Sequence, residues 1–286
     1  MRTVRTVADV RGALAGARAA GRTIALVPTM GALHEGHASL LRLARQECGL
    51  VVLSIFVNSL QFGPGEDVET YPRTVELDIG LAETLGADAV FTPSEKTMYP
   101  NARPAVTVDP GQLGERLEGA VRPGHFRAVL TVVAKLFNVV GPCRAYFGQK
   151  DAQQLALIRR MVADLDAPVE VVAAQTVREI TGLALSSRNS YLSEEERAAA
   201  AVLFEALAAA AALTRAGERH ADILRAEMAR TIGAEPLARI DYAEVIDDES
   251  WEVVDEITGL VRALVAAKVG PARFIDNLLL PLPGEA

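Results

Sequence analysis

The sequence predicts an α/β fold, in which a doubly wound parallel sheet is followed by a second, smaller α+β domain. The first observation is that apolar, strand-like runs alternate with helical patterns through the first half of the chain. The second is the run 50–57, which is apolar on both alternations, as in a strand buried on both faces. The third is a change of pattern after about residue 176, where helices precede three strand candidates.

The predicted elements follow from short apolar runs and from the helical spacing between them. In the first part, strands are expected at 23–28, 50–57, 87–91, 145–147 and 169–173, and helices at 37–48, 70–85, 127–139 and 152–163. Thr70 and Pro72 are typical of a helix start and mark the second of these helices. In the second part, Ser193 and Glu196 form a capping-box pattern that opens a helix to about 214. The remaining elements are a helix at 221–232 and strands at 240–246, 260–269 and 273–280.

Composition argues against several classes of protein. The 286 residues include 29 lysines and arginines against 37 acidic residues, a formal charge of −8, which is unlike a general nucleic-acid binder. Two cysteines, Cys48 and Cys143, are too few for a disulfide-stapled fold or a cysteine-based zinc site. The N-terminus lacks the apolar core of a signal peptide, and the longest apolar runs, 50–57 and 206–213, are shorter than a membrane span. We therefore expect a cytoplasmic protein that binds neither nucleic acid nor membrane.

The most informative segment is Pro-Thr-Met-Gly-Ala-Leu-His-Glu-Gly-His at 28–37, a turn from a buried strand into an amphipathic helix. Ligands of open parallel sheets bind at such turns, and a helix N-terminus attracts anions. Gly31 and Gly36 let the backbone approach a ligand, while His34 and His37 share one helix face. The two imidazoles are candidate phosphate donors, with a metal site or a solvated surface as the alternatives. Neither a Walker loop nor a Gly-x-Gly-x-x-Gly string occurs.

Two further strand ends carry polar side chains. Asn58 and Gln61 follow the second strand, where their amides suit a small substrate with hydroxyls and a carboxylate, or make an ordinary turn. After the fourth strand, Lys150 can hold a phosphate as a mobile point charge. Asp151 can cap the helix that follows, and Gln154 can face the cleft one turn later.

Two loops complete the set of candidates. The segment 122–127 places two arginines and a histidine around a Pro-Gly turn, which is either part of a site wall or a solvated basic loop. Ser186, Ser187 and Arg188 combine two hydroxyls with a guanidinium, as in a compact phosphate-binding set, or form a polar loop at a domain boundary.

Several of these strings resemble one protein family. His34-Glu-Gly-His37 resembles the His-Ile-Gly-His (HIGH) signature of the nucleotidyltransferase superfamily, and the whole string 28–37 resembles the pantothenate synthetases (pantoate–β-alanine ligases). The strings at 122–126, 147–154, 186–189 and 275–277 resemble the same family in order, although Ser59 stands where the family commonly has proline. The resemblance implies a Rossmann-like, nucleotide- and pantoate-binding domain at 1–176 and a C-terminal α+β lid domain at 177–286.

The resemblance also implies roles for individual residues. The catalytic groups would be His37, His34, Lys150 and Arg188. ATP would be bound by Met30, Gly31, Ala32, Leu33, His34, Glu35, Gly36, His37, Gly148, Gln149, Lys150, Asp151, Val177, Leu185, Ser186, Ser187 and Arg188. Pantoate would contact Gln61, Gln154 and Asn58, and β-alanine would contact Gln61. Asp78 would make a polar contact near the substrate or its metal.

The reaction implied by the resemblance is the ATP-dependent joining of (R)-pantoate to β-alanine through a pantoyl adenylate, with release of AMP and pyrophosphate, in pantothenate biosynthesis. His37 would donate a proton to the leaving pyrophosphate. Mg²⁺ would be held mainly by the ATP phosphates, without a protein cage, and the family resemblance implies a homodimer. Two alternatives stay open: a different nucleotidyltransferase, whose product retains the nucleotide, and a non-catalytic nucleotide sensor.

Overall fold

Six strands from the first part of the chain form one parallel sheet in the order β1-β4-β3-β2-β5-β6. These strands are β1 (Arg2–Val4), β2 (Ile24–Thr29), β3 (Leu50–Ile55), β4 (Ala89–Phe91), β5 (Cys143–Gly148) and β6 (Val169–Ala174). The computed structural model describes residues 1–280. The chain divides into two compact units, of which the first is Met1–Gln175 and the second begins at Thr176.

Helices cover both faces of this sheet, as the sequence predicts. They are α1 (Val7–Ala19), α2 (Glu35–Glu47), α3 (Val75–Thr84), the single-turn α4 (Glu95–Met98) and α5 (Glu118–Val121), α6 (His125–Val140) and α7 (Ala152–Asp164). In β2, Leu26 packs in a core cluster with α1, α6 and α7, whereas its neighbour Val27 packs in another with α2 and α3. Successive side chains of a strand point to opposite faces, so a continuous apolar run is what a sheet between two helical layers needs.

The sheet has one topological switch point. β2 is hydrogen-bonded to β3 on one side and to β5 on the other, so the chain leaves β2 in one direction and later returns to its opposite edge. Connections diverge from such a point, which opens a crevice at the carboxyl ends of the strands. The turns after β2, β3 and β5 therefore surround one crevice.

The structure differs from the predicted elements at three places. The first strand and helix, β1 and α1, are not predicted, because β1 has only three residues and α1 is rich in small residues. The helix expected at 70–85 begins only at Val75, and Thr70 does not cap it. Pro72 disfavours helical backbone at Tyr71, so the helix starts after the proline. The helix expected to run to about 214 is divided at Ala201 into α8 (Glu194–Ala200) and α9 (Val202–Arg215).

The second unit places helices against a three-stranded antiparallel sheet. The sheet order is β7 (Ala238–Asp247), β8 (Val261–Val269) and β9 (Ala272–Leu280), and α10 (Ala221–Gly233) lies beside α9. The predicted capping box is confirmed: the Ser193 hydroxyl accepts from the Glu196 N–H at 3.2 Å, and the Glu196 carboxylate accepts from the Ser193 N–H at 2.8 Å. Leu203, Leu207 and Leu224 fill the core beneath the sheet.

One helical stretch of this unit is apolar enough to meet the criteria for a membrane span. It covers the 22 residues Glu194–Arg215, although the separate apolar runs within it are short. Leu203, Ala206, Leu207 and Ala210 are fully buried among the residues of the second unit. Packing against the antiparallel sheet therefore accounts for the apolar composition of these helices.

Candidate active site

The turn between β2 and α2 enters the crevice at the switch point. Gly31 has a φ of +87°, a conformation that glycine adopts without steric cost. A side chain at this position would also meet the Asp78 carboxylate at 2.9 Å and Ile55 at 3.1 Å. The glycine is required because this turn packs tightly against α3 and the end of β3.

The Asp78 side chain holds this turn in place through hydrogen bonds to its main chain. Its buried carboxylate accepts hydrogen bonds from the main-chain N–H groups of Ala32 at 3.0 Å and Leu33 at 2.8 Å. The Thr74 hydroxyl donates to the same carboxylate. Sequence reasoning places Asp78 near the substrate or its metal; the structure shows both of its oxygens committed to the loop that precedes His34.

The two histidines cap α2 reciprocally. The Gly36 N–H donates to Nδ1 of His34 at 3.1 Å, and the His34 N–H donates to Nδ1 of His37 at 3.3 Å. Their ring centroids are 4.1 Å apart. Because Nδ1 is an acceptor in both rings, each neutral imidazole carries its proton on Nε2. The pair therefore offers two Nε2–H donors side by side at the start of a helix.

Lys150 lies close enough to this pair to affect its charge. Burial is the main cause that lowers the pKa of His37 to about 3; His34 and Lys150 contribute to the same shift, and Asp151 opposes it. Burial, followed by Lys150, also lowers the pKa of His34. Both rings are therefore neutral near pH 7 without a ligand. A polyanion bound beside them would favour their protonation.

The segment after β5 brings Lys150 to the crevice through a single 3₁₀ turn, Gln149–Asp151. The Lys150 ammonium lies 3.7 Å from the Asp151 carboxylate. Asp151 occupies the N-cap position of α7 but its side chain makes no capping hydrogen bond, so the geometry does not support the alternative in which Asp151 serves as a helix cap. A Cβ added to Gly148 would meet no atom within 4 Å, so the space beside this glycine is open.

Two adjacent glutamines on α7 have different surroundings. Gln153 is buried: its Oε1 accepts from the Glu118 N–H at 3.1 Å, and its Nε2 donates to the carbonyls of Leu113 at 2.8 Å and Arg116 at 2.9 Å. Gln154 is half-buried. Gln153 thus connects α7 to the preceding loops. Gln154 is predicted from the sequence as a candidate site residue, and Gln153 is not.

Asn58 and Gln61 lie together at the end of β3, as predicted. Asn58 Nδ2 donates to Gln61 Oε1 at 3.1 Å, and Gln61 Nε2 donates to Met30 Sδ at 3.3 Å. The second contact joins this turn to the one after β2. A thioether is a weak acceptor, so the Gln61 amide can exchange it for a better oxygen acceptor.

A partly buried ionic network supports the main chain at Gln61. His125 Nδ1 is 2.9 Å from the Gln61 carbonyl, and His125 Nε2 is 3.1 Å from Nη1 of Arg122. Since a guanidinium can only donate, Nε2 accepts and Nδ1–H donates to the carbonyl. Arg122 also makes a bidentate ion pair with Glu66, at 2.7 and 2.6 Å. The basic loop at 122–127 is thus partly internal.

In the second unit, the predicted residues lie on a short hairpin and the turn after it. The Leu185 N–H donates to the Val177 carbonyl at 2.9 Å, and Arg178 pairs with Ala184. The Ser186 hydroxyl then accepts from the Arg188 N–H at 3.3 Å and opens a 3₁₀ turn, Ser187–Tyr191. Ser186, Ser187 and Arg188 are therefore neighbours on one turn.

This hairpin is anchored by a residue from the C-terminal strand. The Arg178 guanidinium donates to both carboxylate oxygens of Asp276, with Nη2 at 2.9 Å from Oδ1, and lies 4.4 Å from the Phe204 ring centroid. Asp276 is buried. The C-terminal string 275–277 thus supports, through Asp276, the segment that begins at Val177.

Metal ligands are not clustered within residues 1–280: no group of three or more His, Cys, Asp or Glu side chains there could hold a metal ion. His34 and His37 use Nδ1 to cap α2, and no third ligand joins them. The metal alternative left open for this pair therefore lacks support in the geometry.

Comparisons with known proteins agree on one family. The family model for pantoate-beta-alanine ligase matches residues 2–279. The pantothenate synthetase of Acidobacterium capsulatum is 53% identical over 98% of this chain and 97% of its own length.

Solved structures give the same result. The pantothenate synthetase of Thermus thermophilus has a TM-score of 0.92 and 47% identity, covering 98% of this chain and all of that one. A pantoate-beta-alanine ligase from Francisella tularensis, in complex with beta-gamma ATP and beta-alanine, has a TM-score of 0.80 and 32% identity. It covers 98% of this chain and 97% of its own.

Proposed function

This chain belongs to the pantoate–β-alanine ligase family, and from that premise we propose that it joins (R)-pantoate to β-alanine through a pantoyl adenylate. Direct attack of the amine on pantoate is slow, because a carboxylate is a poor electrophile and its oxygen is a poor leaving group. Adenylation of the carboxylate removes this difficulty. A pantoate oxygen attacks the α-phosphorus of ATP and pyrophosphate departs. The β-alanine amine then attacks the acyl carbon, AMP departs and the amine loses a proton to solvent. The product is pantothenate, which enters coenzyme A biosynthesis.

The phosphates of ATP bind at the switch point in this proposal. The supporting observation is that two Nε2–H donors, from His34 and His37, lie together at the start of α2, where the charge of Lys150 influences both rings. Stabilising the charge that builds up on a departing pyrophosphate is the main requirement of the first step. His37 donates a hydrogen bond from Nε2 in its neutral form. The charge of bound ATP raises its pKa, so that it can also pass a proton to the leaving group.

The remaining nucleotide contacts in this proposal come from the turns after β2 and β5 and from the second unit. Met30, Gly31, Ala32, Leu33, Glu35 and Gly36 contact ATP from the first turn, and Gly148, Gln149 and Asp151 contact it from the second. Glu35 contributes its main chain, because its exposed carboxylate pairs with Arg42. Ser186, Ser187 and Arg188 contact the phosphates, and Val177 and Leu185 contact the nucleoside.

Pantoate and β-alanine bind through neutral amides. The supporting observation is that Asn58 and Gln61 form one hydrogen-bonded pair, joined to the ATP loop through Met30. Gln154, half-buried on α7, supplies a further amide. Amides can hydrogen-bond both hydroxyl and carboxylate groups without adding charge, which suits a substrate whose carboxylate must attack a phosphate.

The proposal also covers Mg²⁺, assembly and location. The phosphates of ATP, rather than a cage of protein carboxylates, would hold Mg²⁺, because Asp78 is committed to the loop and Asp151 lies beside Lys150. The ion would neutralise part of the phosphate charge. We expect a homodimer that works in the cytoplasm.

Product analysis tests the proposed reaction. The protein is incubated with magnesium-ATP, pantoate and β-alanine, and each substrate is omitted in turn. Sustained release of AMP and pyrophosphate only with both organic substrates, together with a single-turnover burst of pyrophosphate from pantoate alone, is the expected result. A product that retains the nucleotide would instead identify a different nucleotidyltransferase. ATP binding without AMP formation would instead support the alternative of a non-catalytic nucleotide sensor.

A further inference from the structure

Asn58 is a buried amide whose polar atoms all have partners. It is 1% exposed. Its Nδ2 donates to Gln61 Oε1 at 3.1 Å and to the Ala128 carbonyl at 3.3 Å. Its Oδ1 accepts from the Tyr99 hydroxyl at 2.9 Å. Such an amide has one orientation that satisfies every partner.

These partners determine the orientation of two amides in succession. The Ala128 main-chain carbonyl can only accept, so the Asn58 atom facing it is the NH₂ group. The opposite atom, Oδ1, then faces Tyr99, whose hydroxyl donates. Because the NH₂ group of Asn58 donates to Gln61, the Gln61 atom that faces Asn58 must be its acceptor, Oε1. The NH₂ group of Gln61 is thereby directed to the other side, where Met30 Sδ is its weak acceptor.

Tyr99 is well suited to fix the start of this chain of hydrogen bonds. Its side chain is 2% exposed, its ring lies 6.0 Å from that of Phe56, and Lys135 Nζ is 5.9 Å from the ring centroid. A tyrosine packed in this way has little rotational freedom, so its hydroxyl stays in one place. Nearby, the Ser59 hydroxyl donates to Glu95 at 2.7 Å and joins α4 to the turn that carries Gln61.

We propose that Tyr99 is a positioning residue for the organic substrate: through Asn58 it orients the Gln61 amide so that Gln61 donates to a substrate oxygen. The inference rests on the proposed role of Gln61 in binding pantoate. Tyr99 itself does not touch the substrate. Together with the Ala128 carbonyl, its hydroxyl holds Asn58 in the orientation that excludes the alternative in which Gln61 offers an oxygen, which would repel a carboxylate.

The first test is Tyr99→Phe, which deletes only the hydroxyl. Loss of one orienting hydrogen bond is expected to raise the KM for pantoate about three- to ten-fold, with kcat and the KM for ATP within two-fold of wild type. The matched control is Tyr146→Phe, which removes a hydroxyl bound to Glu47 and Cys48 at the far end of α2. It should leave both KM values unchanged. A Tyr99→Phe enzyme with an unaltered KM for pantoate would overturn the inference.

A double-mutant cycle separates this inference from the proposed function. Gln61→Ala should raise the KM for pantoate, and adding Tyr99→Phe should raise it no further, because the orienting effect has no amide left to act on. A full Tyr99→Phe effect in the Gln61→Ala enzyme would refute the positioning role alone. An unchanged pantoate dependence in Gln61→Ala would refute the role of Gln61, and this inference with it, while product analysis still tests the reaction.

Gln61→Glu tests the orientation without altering Tyr99. One carboxylate oxygen can still accept from Asn58, but the other replaces the NH₂ group that faces the substrate. The KM for pantoate should therefore rise more than in Gln61→Ala, by at least ten-fold. A KM close to that of wild type would show that Gln61 does not act as a donor and would overturn the inference.

Discussion

Nδ1 of His37 accepts a hydrogen bond from the main-chain N–H of His34 at 3.3 Å. This contact makes His37 part of the cap of α2 and also fixes its tautomer. With Nδ1 occupied, the neutral ring has its proton on Nε2. One residue thus stabilises the local fold through one nitrogen and keeps an N–H donor on the other, which we propose donates to the ATP phosphates.

The two roles of His37 can be separated by His37→Asn. Asparagine can place an oxygen near the position of Nδ1 and keep the cap, but it has no equivalent of the Nε2–H donor. We expect pantoate-dependent pyrophosphate release to fall about 10²- to 10³-fold, with ATP affinity changed only a few-fold. Rapid-quench measurement of pyrophosphate and calorimetric titration of ATP check the two quantities. His220→Asn, at an exposed histidine, is the control, and equal turnover in both variants would contradict the assignment.

Asp78→Ala should weaken the loop that carries the candidate ATP contacts. The main-chain N–H groups of Ala32 and Leu33 would lose their acceptor, and an unpaired buried donor costs about 1–3 kcal/mol. We expect the free energy of unfolding to fall by about 2–4 kcal/mol and the KM for ATP to rise. Urea denaturation and steady-state kinetics measure these changes. Glu76→Ala, which removes an exposed carboxylate from the same helix, should behave like wild type. An Asp78→Ala protein with unchanged stability and unchanged KM for ATP would show that the loop keeps its conformation without Asp78.

Gln153 and Gln154 form a matched pair for separating stability from binding. Gln153→Ala deletes three internal hydrogen bonds and should lower the free energy of unfolding by about 2–4 kcal/mol. Gln154→Ala should leave stability within about 0.5 kcal/mol of wild type while raising the KM for pantoate. Thermal denaturation and pantoate titrations distinguish the two. Interchanged phenotypes would mean that the cleft is lined by the other glutamine.

The buried His125 predicts acid sensitivity. Burial, and then Arg122, lower the pKa of His125 to about 4 in the folded protein, against about 6.5 when unfolded. The unfolded chain therefore binds more protons below pH 6.5, so stability is full above that pH and falls as the pH drops towards 4. The loss attributable to His125 is about 2 kcal/mol between pH 7.5 and pH 5.

His125→Gln tests this assignment, because glutamine cannot titrate but can donate to the Gln61 carbonyl and accept from Arg122. Urea denaturation at several pH values should show a shallower fall in stability below pH 6.5 than in wild type. His220→Gln is the control at an exposed site and should keep most of the wild-type slope. Parallel slopes in wild type and His125→Gln would assign the acid sensitivity to other groups.

Sequence reasoning succeeds where the determinants are local. The apolar runs predict β2 and β3 to within two residues, because a strand between two helical layers needs apolar residues on both faces. They also predict β6, an edge strand with Glu170 exposed, to within one residue. The capping box at Ser193 is equally local. It fails at β1, whose three residues become a strand only by pairing with β4. It fails again at α3, where Pro72 delays the start of the helix.

The sequence by itself determined which residue types surround the crevice and, through their order, the family to which the chain belongs. Only the tertiary structure decided what several of them do. Asp78 holds a loop 46 residues away in the chain, and Tyr99 orients an amide 41 residues away. Each of these hydrogen bonds joins residues that are distant in the sequence, so the partners depend on how the strands are arranged in the sheet. That arrangement is determined by the packing of the whole unit. Residue identity is readable from a string, but the direction in which an amide or an imidazole donates depends on its neighbours in space.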